Sequence, residues 1–421
     1  MELEHHIKAR AATNAILKNF KTGNWLCGKK SGANFFRTKN FNDFPSPDAT
    51  FADEGKNFTV SFEFKPPTET KRGILTGLGQ AIAYLQRSSV SFLIAPEEIE
   101  GYNMKGYLND LFKNLLKKIP VGLITYDIND PSKVDMIVNV KDTDRESKGY
   151  KKSNENRYWA KHQDLPLPLF YMILHYYYLK KTGLLNNVEP YAACWKDHMA
   201  SHSIVDNLEV QATTDLDGRP IKTMNGDKNV TYCENILENI KKKYETDEER
   251  KKALSYEIAT EKSEGYKGSW DNNYNRVRRY ILAFFKQINM IDSNNDLTEK
   301  GFKLYQVGLI NGAESKLFKD YFAREVLITG CHFDLIVDFD KYFREKFSEL
   351  GSNIGKFMNY MEEEYEKNGY IKRNPNRKAK KENHKAFLAH ERALWRYLDL
   401  MDSNYVVDWK RIIEVCTLPD L

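Results

Sequence analysis

The chain has 421 residues, 41% hydrophobic and 13% aromatic, which supplies folded cores and too much chain for one, since single cores stop growing near about 250–300 residues. Its 64 Lys and Arg against 59 Asp and Glu leave a net charge of +5; this suits an anionic partner, but any nucleic-acid surface must come from local clustering. Five scattered cysteines, Cys27, Cys194, Cys233, Cys331 and Cys416, form no C-x-x-C pair and exclude a zinc ribbon or disulfide framework, and the longest apolar run, 165–179, is too short and too interrupted by Pro166, Pro168 and His175 to span a membrane.

The opening Met1-Glu2-Leu3-Glu4-His5-His6 has neither a basic n-region nor an apolar h-region, so no secretory leader and a cytoplasmic setting are expected. Residues 3–20 read as an amphipathic helix with Ile7, Ala11, Ala15 and Leu17 or Phe20 on one side. His5 and His6, adjacent on that helix, point in different directions and are expected to be exposed. An aromatic-rich loop, 35–44, leads into Pro45-Ser46-Pro47-Asp48. Ala49–Ala52 reads as a first strand, 53–57 as a hairpin turn and Phe58–Lys65 as a second strand ended by Pro66-Pro67. In that second strand Phe58, Val60, Phe62 and Phe64 alternate with Thr59, Ser61, Glu63 and Lys65, giving one packed and one open face. Glu63 and Lys65 share the open face, and Asp48 can join them at the sheet edge.

Ile74–Arg87 has helical spacing, with Leu75, Leu78, Ile82 and Leu85 on one stripe; Gln80 and Tyr84, four apart, face a common direction. Val90–Ala95 reads as a third strand, Tyr102–Lys118 as a helix and Val121–Asp127 as a fourth strand. The string β-β-α-β-α-β implies an α/β core, a mixed sheet flanked by helices, over residues 1–130. Two carboxylates beside an ammonium suit a hard cation such as Mg²⁺, which takes oxygen ligands, with the lysine positioning a water or steadying phosphate charge.

Pro47-Asp48, then Glu63-Phe64-Lys65 fifteen positions after Asp48, then Gln80 and Tyr84 on the following helix resemble the PD-(D/E)XK nuclease superfamily in its RecB-like Q-x-x-x-Y form. The resemblance covers about 40 residues of the chain. It implies Asp48 and Glu63 as metal ligands with the Phe64 carbonyl, Lys65 as the residue that positions or activates water, Gln80 as a brace and Tyr84 as phosphate support. It also implies Mg²⁺ as cofactor and a first helix that brings a further acid; Glu4 is the candidate, with a solvated first-turn glutamate as the other reading. Thr68, Thr70, Lys71 and Arg72 would suit a phosphate near a helix N-terminus.

From residue 129 the composition changes, and 141–157 is charged and poor in apolar residues, reading as a hinge. Residues 166–184 read as a core helix through Phe170, Ile173, Leu174 and Tyr177. Ile204–Ala212 reads as a strand, 218–230 as turn-rich β, 233–246 as a helix, and the acidic run 214–218 as a turn that lacks an EF-hand ligand series. Residues 273–312 resemble a winged helix: a helix 274–288, a turn 291–296, and Leu297-Thr298-Glu299-Lys300-Gly301 opening the next. Arg276, Arg278 and Arg279 make its start basic, and both DNA reading and protein packing remain open for it. The last stretch, 314–421, reads as helical, with Asp334, Asp338 and Asp340 as surface acids. Lys372, Arg373, Arg377, Lys378, Lys380 and Lys381 give six basic residues in ten positions with no acid among them, a pattern suited to phosphate contact.

The expected divisions are 1–130, 131–265 and 266–421: a nuclease core, a mixed linker region, and a largely helical region with a winged-helix-like module that reads DNA. No G-x-x-x-x-G-K-[ST] loop is present, so no ATP-driven motor is expected. A stand-alone chain of this kind resembles a type II restriction endonuclease acting on double-stranded DNA, in a type IIS arrangement, with a homodimer as one route to cutting both strands. Two alternatives stay open: a DNA-binding or defence-assembly protein with a degenerate core, and a nuclease acting on RNA or single strands.

Overall fold

The computed structural model describes residues 2–38, 46–53, 57–140, 159–162, 164–185, 188–262, 271–371, 387–419 and 421. They fall into two compact units, Met1–Tyr158 with Gly355–His384, and Trp159–Ile354 with Lys385–Leu421. The three-part division expected from composition therefore gives way to two. The helix Ile354–Lys367 lies largely in the first unit, where the turn after it is tied in: the Arg37 amide donates to the Gly369 carbonyl at 3.0 Å, and the Tyr370 hydroxyl to Asn14 Oδ1 at 2.5 Å. The Arg10 and Arg37 guanidinium groups sit 5.5 and 5.3 Å from the centre of the Tyr370 ring.

The first unit is α/β. Its six-stranded sheet contains β1 (Phe36–Thr38), β2 (Ala49–Asp53), β3 (Phe58–Phe64), β4 (Val90–Pro96), β5 (Val121–Asp127) and β6 (Asp130–Val138), in the spatial order β6-β5-β4-β3-β2-β1. β3, β4 and β5 run parallel, joined by crossover helices α2 (Lys71–Tyr84) and α3 (Met104–Asn114), and the outer pairs are antiparallel. Two strands differ from the sequence expectation. β1 comes out of the stretch read as a loop and is only three residues long. β6 lies where the composition changes, at the start of the expected 131–265 linker region; it is an edge strand, half exposed, and its Asp130, Pro131, Lys133 and Asp135 mask the alternation, as polar edge strands do.

Side-chain alternation sends the two faces of the sheet into separate cores. Phe58, Val60, Phe62, Phe64, Phe92, Ile94, Ile124 and Tyr126 pack with Ala9, Ala12, Ile16, Leu17 and Phe20 of α1 (Glu2–Lys21). Leu93, Ala95, Val121 and Leu123 pack with Ile74, Leu78, Ala81 and Leu85 in and just after α2 and with Met104, Leu108 and Phe112 of α3. The face of α1 expected to be buried is rotated: Ile7 is 52% exposed, and Ala9, Ala12 and Ile16 carry the packing instead. The second face of β3, expected to be open, is covered. Thr59, Ser61 and Glu63 are all buried, and Ser61 and Ser88 hydroxyls meet at 2.5 Å while the Ser91 hydroxyl donates to the Ala81 carbonyl at 2.6 Å. Small hydroxyl side chains let α2 approach this strand closely while keeping their polar atoms bonded.

Every described element of the second unit beyond isolated bridges is helical. Phe170, Ile173, Leu174 and Tyr177 of α4 (Leu167–Lys181) are buried as expected, and the Phe170 ring lies 4.6 and 4.5 Å from those of Phe285 and Phe322. The strand expected at 204–212 is instead a short helix, Ser203–Asn207, ended by Leu208 in the left-handed region at φ 50°. Asp340 is not a bare surface acid, since it accepts from Trp409 Nε1 at 2.8 Å and from Arg344.

One helix–turn–helix device is built twice in this unit. α5 (Asn273–Gln287) leads through a turn to α6 (Glu299–Asn311), and α8 (Ala389–Tyr397) leads through the same turn to α9 (Trp409–Cys416). Each turn closes with a single antiparallel bridge, Ile291 to Leu297 in one and Met401 to Val407 in the other. Asp292 Oδ1 accepts from the amides of Asn294 and Asp296, and Asp402 Oδ1 from those of Asn404 and Val406. Asn289 and Asp399, and likewise Asn295 and Tyr405, hold matching positive φ angles of 61°, 60°, 60° and 67°. Thr298 and Asp408 cap the second helix of each pair, satisfying first-turn amides that no helical carbonyl reaches. Between the pairs in sequence, α7 (Lys316–Leu327) binds both second helices: Glu325 takes Lys300 of α6 at 2.8 Å, and Asp320 takes Arg411 of α9.

Candidate active site

The site forms where β3 ends and α2 begins, at the carboxyl end of the parallel strands, where α/β sheets commonly place ligands. Pro66-Pro67 stop the strand just after Lys65. The Lys65 amide still donates to the Ile94 carbonyl of β4 at 2.9 Å, and its carbonyl accepts from the buried Tyr126 hydroxyl at 2.8 Å. The backbone at Lys65 is therefore held from two sides, and only its side chain has freedom to move.

That side chain runs along α2. Its ammonium lies 2.9 Å from Glu63 Oε1 and 3.0 Å from Gln80 Oε1. Tyr84, one turn further along α2, donates to Glu63 Oε2, and the Ser46 carbonyl lies 3.1 Å from the same hydroxyl. Only 6% of the Glu63 side chain and 13% of the Lys65 side chain are exposed. Asp48 arrives from the edge: its amide donates to the Phe62 carbonyl at 3.0 Å, and its Oδ2 accepts from the Phe64 amide at 2.7 Å. In an extended strand a residue's N–H and C=O project to the same side, so the Phe64 carbonyl lies on the Asp48 side. Asp48, Glu63, Lys65, Gln80 and Tyr84 are thus one connected group.

Electrostatics follow from this burial. The Glu63 carboxyl is pushed above the usual carboxylate range, first by burial and then by the negative charge of Asp48; hydrogen bonds from Tyr84 and Lys65 oppose the rise. Tyr84 is held as a phenol by burial and by Glu63. Asp48 Oδ1 lies 3.3 Å from His5 Nε2, and that hydrogen bond raises the His5 pKa against the opposing effect of burial. The His5 ring also meets the Phe64 ring edge-on at 5.4 Å.

Two carboxylates and a backbone carbonyl form an all-oxygen donor set, the type that Mg²⁺ takes with waters and phosphate completing its shell. Burial first and the Asp48 charge second disfavour ionised Glu63, and a divalent cation beside it would offset both, so the residues fit such an ion. Among the described residues no group of three or more His, Cys, Asp and Glu side chains stands ready to hold a metal; a third protein oxygen at this strand end would have to come from the backbone.

Three contributors escaped sequence reasoning. His5, expected to be exposed, touches Asp48. Tyr126 fixes the Lys65 carbonyl from two strands away. Gly77 lies directly under the Lys65 side chain, where an added Cβ would stand 2.4 Å from Lys65 Cε; a glycine inside a helix, two residues before another, was the available signal.

Arg276, Arg278 and Arg279 stand on α5, each facing a carboxylate: Glu257 at 3.6 Å, Glu189 at 3.4 Å and Asp271 at 2.5 Å. Lys372, Arg373, Arg377, Lys378, Lys380 and Lys381 fall outside the described residues, as do the whole of the charged stretch 141–157 and the side chains of Glu4 and His6. No helix among the described residues is long and apolar enough to cross a membrane. Compared with protein-family models and with curated proteins, the chain matches none.

Proposed function

We propose that the first unit is a metal-dependent nuclease hydrolysing phosphodiester bonds of double-stranded DNA, as a type II restriction endonuclease does. The observation that carries this reading is the Lys65 ammonium, held between Glu63 and Gln80 while Asp48 and the Phe64 carbonyl lie at the same strand end. Asp48, Glu63 and the Phe64 carbonyl would hold Mg²⁺, which when bound supplies polarisation of the phosphoryl group and neutralisation of its charge.

The chain's own residues do the positioning. An ammonium has three donors; Glu63 and Gln80 take two of them, leaving one direction for the attacking water or a phosphate oxygen. Tyr84 fixes the Glu63 carboxylate through its second oxygen, so the acid cannot swing off the strand end. In the reaction the water oxygen forms a bond to phosphorus in line with the breaking bond to the leaving oxygen. The water loses a proton to solvent, and the leaving oxygen gains one. Fixing the nucleophile within reach of the phosphorus removes an entropic cost that contributes strongly to such reactions.

The second unit supports the DNA-reading half of the proposal through its paired helix–turn–helix devices. In this reading the α5–α6 segment is the winged-helix-like reader, and the separation of the chain into two units suits a type IIS enzyme that binds one site and cuts beside it. Replacing Lys65 by Ala tests the catalytic assignment. Plasmid cleavage in Mg²⁺ should vanish while DNA binding in a gel-shift assay persists; undiminished cleavage by this variant would defeat the proposal.

A further inference from the structure

We infer that Gly77 is a positioning residue whose missing side chain creates the slot in which the Lys65 side chain lies. The slot is read from packing alone; its consequence for cleavage rests on the nuclease reading above. A Cβ built at Gly77 would stand 2.4 Å from Lys65 Cε, 2.9 Å from Cγ and 3.2 Å from Cδ, so its three nearest neighbours all belong to Lys65. Gly79, two residues on and about half a turn around α2, meets nothing within 4 Å. Neither glycine has a positive φ, and glycine in a helix interior is destabilising relative to alanine. Backbone freedom therefore gives no reason for glycine at position 77, whereas the lysine stem does.

The slot acts on one atom. The Lys65 backbone is fixed by the Ile94 carbonyl and the Tyr126 hydroxyl, so a methyl group at position 77 cannot be accommodated by sliding the strand. The stem must swing outward, carrying the ammonium off Glu63 and Gln80. Reactive groups misplaced by about 1 Å lose on the order of 100-fold in rate, although every polar side chain of the site remains present.

The experiment compares Gly77→Ala with Gly79→Ala in the full chain. Thermal unfolding should show a lowered Tm in Gly77→Ala, where the Lys65–Glu63 pair is broken, and no loss in Gly79→Ala. Acetylation of Lys65 by an amine-reactive ester, followed by peptide mass spectrometry, should be about tenfold faster in Gly77→Ala, where the amine, only 13% exposed in its slot, swings out to solvent, and unchanged in Gly79→Ala. Plasmid cleavage in Mg²⁺ at saturating DNA should fall about 100-fold in Gly77→Ala with KM held within about twofold, the signature of lost transition-state positioning. Unchanged acetylation of Lys65 in Gly77→Ala overturns the inference. A wild-type protein that cuts nothing defeats the nuclease reading, while the acetylation comparison still decides the role of Gly77. Should Gly77→Ala fail to fold, the Lys65→Ala/Gly77→Ala pair must restore folding, since the clashing stem is gone; failure to restore it also overturns the inference.

Discussion

Replacing Lys65 by Met keeps an unbranched stem over Gly77 and removes the ammonium that pairs with Glu63 at 2.9 Å. Both partners are nearly buried, and breaking such a pair costs about 3–5 kcal/mol when the remaining charge is left behind. Tyr84 still donates to Glu63, which places the cost near the lower bound, about 3 kcal/mol. For a unit of this size that is about 6–12 °C in Tm, at about 2–4 °C per kcal/mol. The cost must depend on pH. Glu63 has a folded pKa raised by burial and Asp48, so its favourable contribution is present below the unfolded carboxylate value, about 4.3, and is lost as pH rises through the folded value. Lys65 holds that folded value down, and removing it moves the loss to a wider window. The deficit of Lys65→Met relative to wild type should therefore be small near pH 4, grow as pH rises, and be complete above the variant's folded Glu63 value. Metal-free thermal unfolding in chelator across this range measures it, and saturating Mg²⁺ at 100 times its Kd should return about 2.7 kcal/mol. A deficit of equal size at all pH values would refute the reasoning.

Tyr84→Phe removes the donor to Glu63 Oε2, a hydrogen bond to a charged group worth about 1.5–3 kcal/mol. Because that bond lowers the Glu63 pKa, the acid limb of the cleavage pH profile should move to higher pH, and a profile that stays in place would argue against Glu63 acting as a carboxylate. In the second unit, Asp292→Ala and Asp402→Ala each leave two turn amides without their acceptor. Urea denaturation should show losses of about 1–3 kcal/mol in each, with the double variant additive within about 0.5 kcal/mol. Very unequal losses would mean that the two turns differ in energy despite their shared geometry.

Much of the first unit was legible because its signals are periodic. The alternation of Phe58, Val60, Phe62 and Phe64 located β3, and Val121–Asp127 emerged with the bounds expected. Spacing made legible that Glu63 and Lys65 share one face of a strand and Gln80 and Tyr84 one face of a helix; that the helix pair meets the strand pair and Asp48 was what the resemblance implied. What the sequence concealed depends on contacts between distant elements. The polar face of β3 looked open because Ser61 and Glu63 are hydrophilic, yet the Ser88 hydroxyl just after α2, the Tyr84 hydroxyl on it and the Lys65 ammonium at the strand's own end cover them. β6 reads as a charged linker because an edge strand needs one apolar face and tolerates charge on the other. The return of residues 355–371 to the first unit rests on Tyr370 meeting Asn14 and Arg37, contacts that local patterning does not encode. Arg276, Arg278 and Arg279 looked like a free basic face because their carboxylate partners lie at a distance in sequence or just outside the segment.

Incubating purified protein with supercoiled plasmid, in Mg²⁺ or in chelator, tests the central claim most directly when wild type is run beside Asp48→Asn and Glu63→Gln. The account predicts linear or fragmented DNA from wild type in Mg²⁺ alone, and intact plasmid from wild type in chelator and from either variant. Cleavage that persists in chelator, or that survives both substitutions, would contradict it.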